Sequence, residues 1–178
     1  EDEENELEGR YFGGILGFGN TVQISDCASA SGRFGNYSYS DDVDRKEQVL
    51  LGQYVGGIIG YGNNSQLAGC STRKGGYILG SDYVGGIAGG LSNDARVAIT
   101  GTAGVAVTTN AGYVIGNRYV GGIVGKNDGD APTTITNCVN NGVAAGYDRY
   151  IGGIVGYNGE MGRLKDCASY LSDYDGTL

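Results

Sequence analysis

One seven-residue string recurs five times and limits the chain to a repeat architecture. It stands at 11–17 (YFGGILG), 54–60 (YVGGIIG), 83–89 (YVGGIAG), 119–125 (YVGGIVG) and 150–156 (YIGGIVG). Tyrosine, the glycine pair, isoleucine and the closing glycine are constant, and the two variable places stay apolar. The glycine pairs begin at 13, 56, 85, 121 and 152, giving spacings of 43, 29, 36 and 31 residues. A unit near 30 residues with insertions marks a solenoid or propeller, in which each unit buries its apolar face against its neighbours.

Two further signatures complete the unit. The first is Ile24-Ser25-Asp26-Cys27, Leu67-Ala68-Gly69-Cys70, Ile135-Thr136-Asn137-Cys138 and Leu164-Lys165-Asp166-Cys167, with Ile99-Thr100-Gly101-Thr102 in the third repeat. The second precedes the next heptad, at 76–80, 112–116 and 142–146. Short apolar stretches separated by Gly, Asn, Asp and Ser read as strands and turns, and no stretch has a helical period. The expected fold is all-β, a parallel β-solenoid (β-helix) of about five coils of roughly 30 residues with about three short strands per coil. Propeller blades need four strands and about 40 residues, more than the unit from Gly56 to Gly85 supplies. An acidic arm is expected over 1–10, then a solenoid over 11–178 with units 11–53, 54–82, 83–118, 119–149 and 150–178.

Stacking about 4.8 Å apart turns each constant position into a column. The isoleucine column, Ile15, Ile58, Ile87, Ile123 and Ile154, is expected inside. The tyrosine column, Tyr11, Tyr54, Tyr83, Tyr119 and Tyr150, shares its phase, two positions per repeat, and is read as core structure with a sugar platform as the alternative. The glycine pairs serve either positive φ at a bend or close backbone approach. The opposite phase, Phe12, Val55, Val84, Val120 and Ile151, is then an outward apolar stripe, expected to be covered or to bind a partner. Cys27, Cys70, Cys138 and Cys167 form a column of their own. In-register Cβ atoms about 5 Å apart suit buried reduced thiols better than disulfides.

The first unit carries an insertion near 33–50. Its Tyr37, Tyr39, Asp41, Asp42 and Asp44 make a candidate interaction loop, or else a solvated cover for the first coil. The chain has no histidine, which removes Ser/His and Cys/His nucleophile arrangements. Asp128 and Asp130 are the other close acidic pair outside the arm and read as solvated turn residues. No catalytic residue, cofactor or metal site is expected. A net charge of −8 argues against nucleic acid. No apolar run reaches the roughly 20 residues of a membrane-spanning helix, so no membrane insertion of this segment is expected. An acidic opening without a leader pattern suggests a piece of a longer protein.

The heptad, the Ile-x-Asn-Cys segment and the Gly-x-Val-x-Gly segment together resemble the GLUG motif, most closely from Tyr119 to Gly146. That resemblance extends over most of 11–178, with departures at Thr102 and at the first-unit insertion. Such repeats occur in bacterial surface and secreted proteins, among them adhesin-like proteins and IgA-specific metallopeptidases. The resemblance implies an extracellular, structural or adhesive module; the metallopeptidase motif H-E-x-x-H is absent. Its partners would be a protein or glycan on another cell, or further copies of itself, stacked through the solenoid ends as a filament or stalk. A carbohydrate-binding or carbohydrate-active β-helix is the alternative.

Overall fold

The structure, a computed structural model, describes residues 10–29, 33–35, 37–39, 48–50, 52–93, 96–97 and 108–170. These residues form a parallel β-solenoid whose coils stack in register. Coil two shows the pattern, with strands Gln53–Gly56, Ile59–Asn63, Gln66–Ala68, Ser71–Thr72 and Tyr77–Leu79. Each strand pairs with its equivalents in neighbouring coils, so the described residues build five parallel sheets. The three apolar stretches of the sequence thus yield five strands per coil, because the chain bends within two of them. The heptad breaks at its glycine pair, and the cysteine segment breaks at the residue before cysteine.

Both breaks have a backbone cause. Left-handed φ recurs at Asp26, Gly69, Asn137 and Asp166, and again at Thr21, Asn64 and Asn93. Asn, Asp and Gly tolerate this conformation best, which accounts for their position before the cysteine. The glycine pairs behave differently, for none of them has positive φ. A Cβ on Gly56 would lie 2.0 Å from the Ile59 carbonyl oxygen, and one on Gly57 2.3 Å from the Gly86 oxygen. Their glycines serve close approach. At this corner Ile58 and Ile59 both donate their N–H to the Ile87 carbonyl of the next coil, each at 3.0 Å.

The corner also places the apolar columns. Ile58, Ile87 and Ile123 are fully buried, packed with Leu67, Ile135, Cys70 and Cys138 in the larger core. The outward stripe expected from strict alternation does not exist. Val55, Val84 and Val120 are fully buried in a second core with Ile78 and Val114, against which Phe12 packs. Only Ile151, in the last coil, is exposed. Valine and isoleucine three residues apart would face opposite ways on a straight strand. The Gly-Gly bend between them turns both inward.

A buried polar ladder runs between the two cores. Thr72 Oγ1 donates to Asn110 Oδ1, Asn110 Nδ2 donates to Asn140 Oδ1 at 2.8 Å, and Asn140 Nδ2 to Ser169 Oγ at 3.3 Å. The Asn110 and Asn140 side-chain oxygens also accept the N–H of Gly112 and Gly142, both at 3.1 Å. The ladder presses on the second glycine of each pair: Cβ atoms on Gly57, Gly86 and Gly122 would strike Thr72, Asn110 and Asn140. Buried amides satisfied in this way hold the coils in one register.

The inserted segment begins later than the sequence suggests. Arg33–Gly35 belongs to the fifth sheet, Phe34 pairing with Ile78. Tyr37–Tyr39 then pairs antiparallel with Gln48–Leu50. The third coil also departs from the expected alignment. Val97, not Ile99, lies in register between Leu67 and Ile135, and Thr108, not Thr102, faces Cys138. Ten residues, 98–107, separate the two positions, which is why the sequence match at 99–102 misled.

Candidate functional site

The tyrosines that open the heptads lie on the outer surface, not in the core. Tyr54, Tyr83, Tyr119 and Tyr150 have φ of 50°, 56°, 56° and 61°. Left-handed backbone costs a non-glycine residue about 1–2 kcal/mol, so the surroundings must impose it. They do so through the closing glycine of the heptad. A Cβ on Gly89 would lie 2.4 Å from the Tyr54 carbonyl carbon, and one on Gly125 2.6 Å from that of Tyr83. The backbone fits there because the glycine has no side chain, and the left-handed kink swings the ring outward.

The rings then stack along the solenoid. Centroids are 5.3 Å apart for Tyr11 and Tyr54, 4.4 Å for Tyr54 and Tyr83, 4.9 Å for Tyr83 and Tyr119, and 4.8 Å for Tyr119 and Tyr150. Interplanar angles of 14–25° in the last three pairs mean that their faces cover each other. Burial and the neighbouring Tyr83 phenol raise the Tyr54 pKa above its ordinary value.

A second column follows beside the first, at the residue just after each heptad: Phe18, Tyr61, Gly90, Lys126 and Tyr157. Tyr61 stands at 83° to Tyr54, and Tyr157 at 87° to Tyr119. Because stacking covers the faces of Tyr54 and Tyr119, it is their edges that meet the faces of Tyr61 and Tyr157. Phe18 and Tyr61 are stacked, parallel within 5° and with centroids 5.9 Å apart. The gap at Gly90 is filled by the Tyr54 ring, which a Cβ there would approach to 2.7 Å.

Lys126 Nζ lies 5.4 Å from the Tyr83 ring centroid, 6.0 Å from Tyr119 and 5.8 Å from Tyr157, and 3.0 Å from Asp128 Oδ2. Burial works against the ammonium, yet the hydrogen bond and charge of Asp128 outweigh it and raise the Lys126 pKa. Phe18, Tyr61, Lys126 and Tyr157 were missed by the seven-residue reading. Extending the repeat by one position finds an aromatic in three copies of five.

The remaining candidates are scattered. Tyr37 and Tyr39 lie on the hairpin; Asp41, Asp42 and Asp44 fall outside the described residues. Asp128 is engaged by Lys126, and the Asp130 N–H donates to Asn93 Oδ1. The cysteine column is broken by Thr108 into two neighbouring pairs. Cys70 and Cys138 are buried, Cys27 and Cys167 half-buried, and none of the four is in a disulfide. Burial raises the pKa of both Cys70 and Cys138. Among the described residues, no group of three or more Cys, Asp or Glu could hold a metal.

No curated protein and no solved structure matches the chain. Residues 116–144 match the GLUG motif, a segment that runs from the end of one fifth-sheet strand through the heptad to the next. The fourth coil of this β-solenoid thus carries a GLUG motif.

Proposed function

We propose that the chain is a non-catalytic structural and adhesive module of a bacterial cell-surface or secreted protein. The observation that supports this most is the aromatic face, carried on coils locked in register by sheets and by a buried amide ladder. Such a scaffold presents a surface without rearrangement, which lowers the ordering cost of binding. Beads coated with the protein should be retained on host-cell or bacterial layers above an albumin-coated control. Retention no better than albumin would overturn the adhesive part, and reducing ends released from plant or bacterial polysaccharides would overturn the non-catalytic part.

A second reading, axial self-assembly, has its own observation. Ile15 and Phe18 in the first coil are 50% and 49% exposed, and Ile151, Met161 and Leu164 in the last coil are exposed as well. Equivalent columns at both ends let one copy sit on another as coil sits on coil, a head-to-tail contact that does not close. Sedimentation velocity should then show concentration-dependent growth, and a single monomer boundary at all concentrations would exclude it.

A further inference from the structure

We infer that the second aromatic column is a binding site for a neutral, extended polysaccharide laid along the solenoid axis. This deepens the adhesive reading and rests on it. Two tyrosine arrangements must be kept apart. The stacked column offers a ligand only ring edges, since each inner ring is covered on both sides by its neighbours. The second column is different. Tyr61 and Tyr157 meet those edges at near right angles and are only half-buried, so part of each ring stays open to solvent. Phe18, parallel to Tyr61, is 49% exposed. These are flat apolar plates of the kind that receive the C–H face of a pyranose.

The spacing favours a chain ligand. At about 4.8 Å per coil, Tyr61 and Tyr157 are about 14 Å apart and the whole row about 19 Å long. The rise of one pyranose in an extended chain is close to one coil spacing, so successive sugars would fall on successive coils. Between the plates stand Lys126 and Asp128, a donor and an acceptor held 3.0 Å apart, placed to bond sugar hydroxyls. A few polar groups among aromatic plates is the usual composition of a small-molecule subsite. A row one residue wide offers far less than the roughly 800 Å² per side that a stable protein partner covers.

Charge selects within the class. Lys126 is already countered by Asp128, and the chain carries a net charge of −8. A polyanionic glycan would meet repulsion without a free cation in the row, whereas a neutral one is unaffected.

The test is calorimetric titration of the protein with cellohexaose, xylohexaose and hexagalacturonate. Binding of a neutral hexasaccharide is expected, unchanged by salt and absent for hexagalacturonate. Tyr157→Ala should weaken it about tenfold, the worth of one aromatic stack. Tyr157→Phe should retain it, as should Tyr77→Ala, which removes a ring from the separate Tyr77–Tyr113 stack on the fifth sheet. Far-UV circular dichroism checks that each variant folds. No binding of either neutral hexasaccharide overturns the inference, as do binding of hexagalacturonate alone or equal losses in Tyr157→Ala and Tyr77→Ala. The bead assay separates the two levels. Retention that survives Tyr157→Ala leaves the adhesive reading standing and sinks this site, whereas loss of retention in the unmodified protein sinks the adhesive reading.

Discussion

Gly86→Ala tests whether the glycine pair exists for close approach or for bending. The added Cβ would sit 2.0 Å from the Gly122 carbonyl oxygen and 2.6 Å from Asn110 Cγ. A carbon needs about 3.3 Å from a carbonyl oxygen, so coils three and four must part by about 1.3 Å locally. Three hydrogen bonds cross that seam: Gly86 N–H to Gly121 O at 3.2 Å, Ile87 N–H to Ile123 O at 2.9 Å, and Ala88 N–H to Ile123 O at 3.0 Å. At about 1 kcal/mol each, their loss costs about 3 kcal/mol, a large part of the 5–15 kcal/mol typical of a domain. For a chain of this size that lowers the melting temperature by about 6–12 °C. The control is Gly75→Ala, where φ is +79° and nothing lies within 4 Å of an added Cβ. It bears only the left-handed cost of about 1 kcal/mol, or about 2–4 °C. Thermal melts followed by circular dichroism compare the two. If Gly86→Ala melts with the unmodified protein, or if Gly75→Ala is the more damaging, the close-approach account is wrong.

Val84→Ala should cost about 2 kcal/mol in urea unfolding, because Val84 is fully buried. A residue on a solvent-facing stripe would change stability by less than about 0.5 kcal/mol. Asn140→Ala leaves the Gly142 N–H and the Asn110 amide without their acceptor and should cost about 3 kcal/mol. Hydrogen exchange at Gly142 should rise, and unchanged protection there would refute the ladder. At pH 8, a maleimide reagent followed by mass spectrometry should label Cys27 and Cys167 in the native protein. Cys70 and Cys138 should label only on unfolding; early labelling of Cys138 would contradict its burial. These buried thiols and the Tyr54 phenol have folded pKa values raised above ordinary values of 9.0 and 10.0. Their contribution is complete below the unfolded values and is lost as pH rises through the folded ones. The melting temperature should therefore fall above pH 9, less so in Cys138→Ala; equal falls would exclude the thiol.

The repeat, its length, the absence of helical period and the identity of the heptad columns are properties of the sequence alone. Translational stacking explains why, since a residue that recurs at one place in every unit must meet its own copies. That reasoning holds for Ile58, Ile87 and Ile123 in the core and for the stacking of Tyr54 on Tyr83. It extends to the two neighbouring pairs, Cys27 with Cys70 and Cys138 with Cys167, none of which is in a disulfide. Direction was a different matter. Whether a column faces in or out depends on where the chain turns, and the turns are set by contacts between coils. The bend at each glycine pair brings Val55, Val84 and Val120 inside, where alternation had put them out. The left-handed kink at Tyr54, Tyr83, Tyr119 and Tyr150 puts those rings outside, where alternation had put them in. The residue after the heptad is aromatic in three copies of five, but only the folded coil shows that Tyr61 and Tyr157 stand edge-to-face beside the tyrosine stack. Sequence period fixes which residues meet; only the corners of the coil decide which side they meet on.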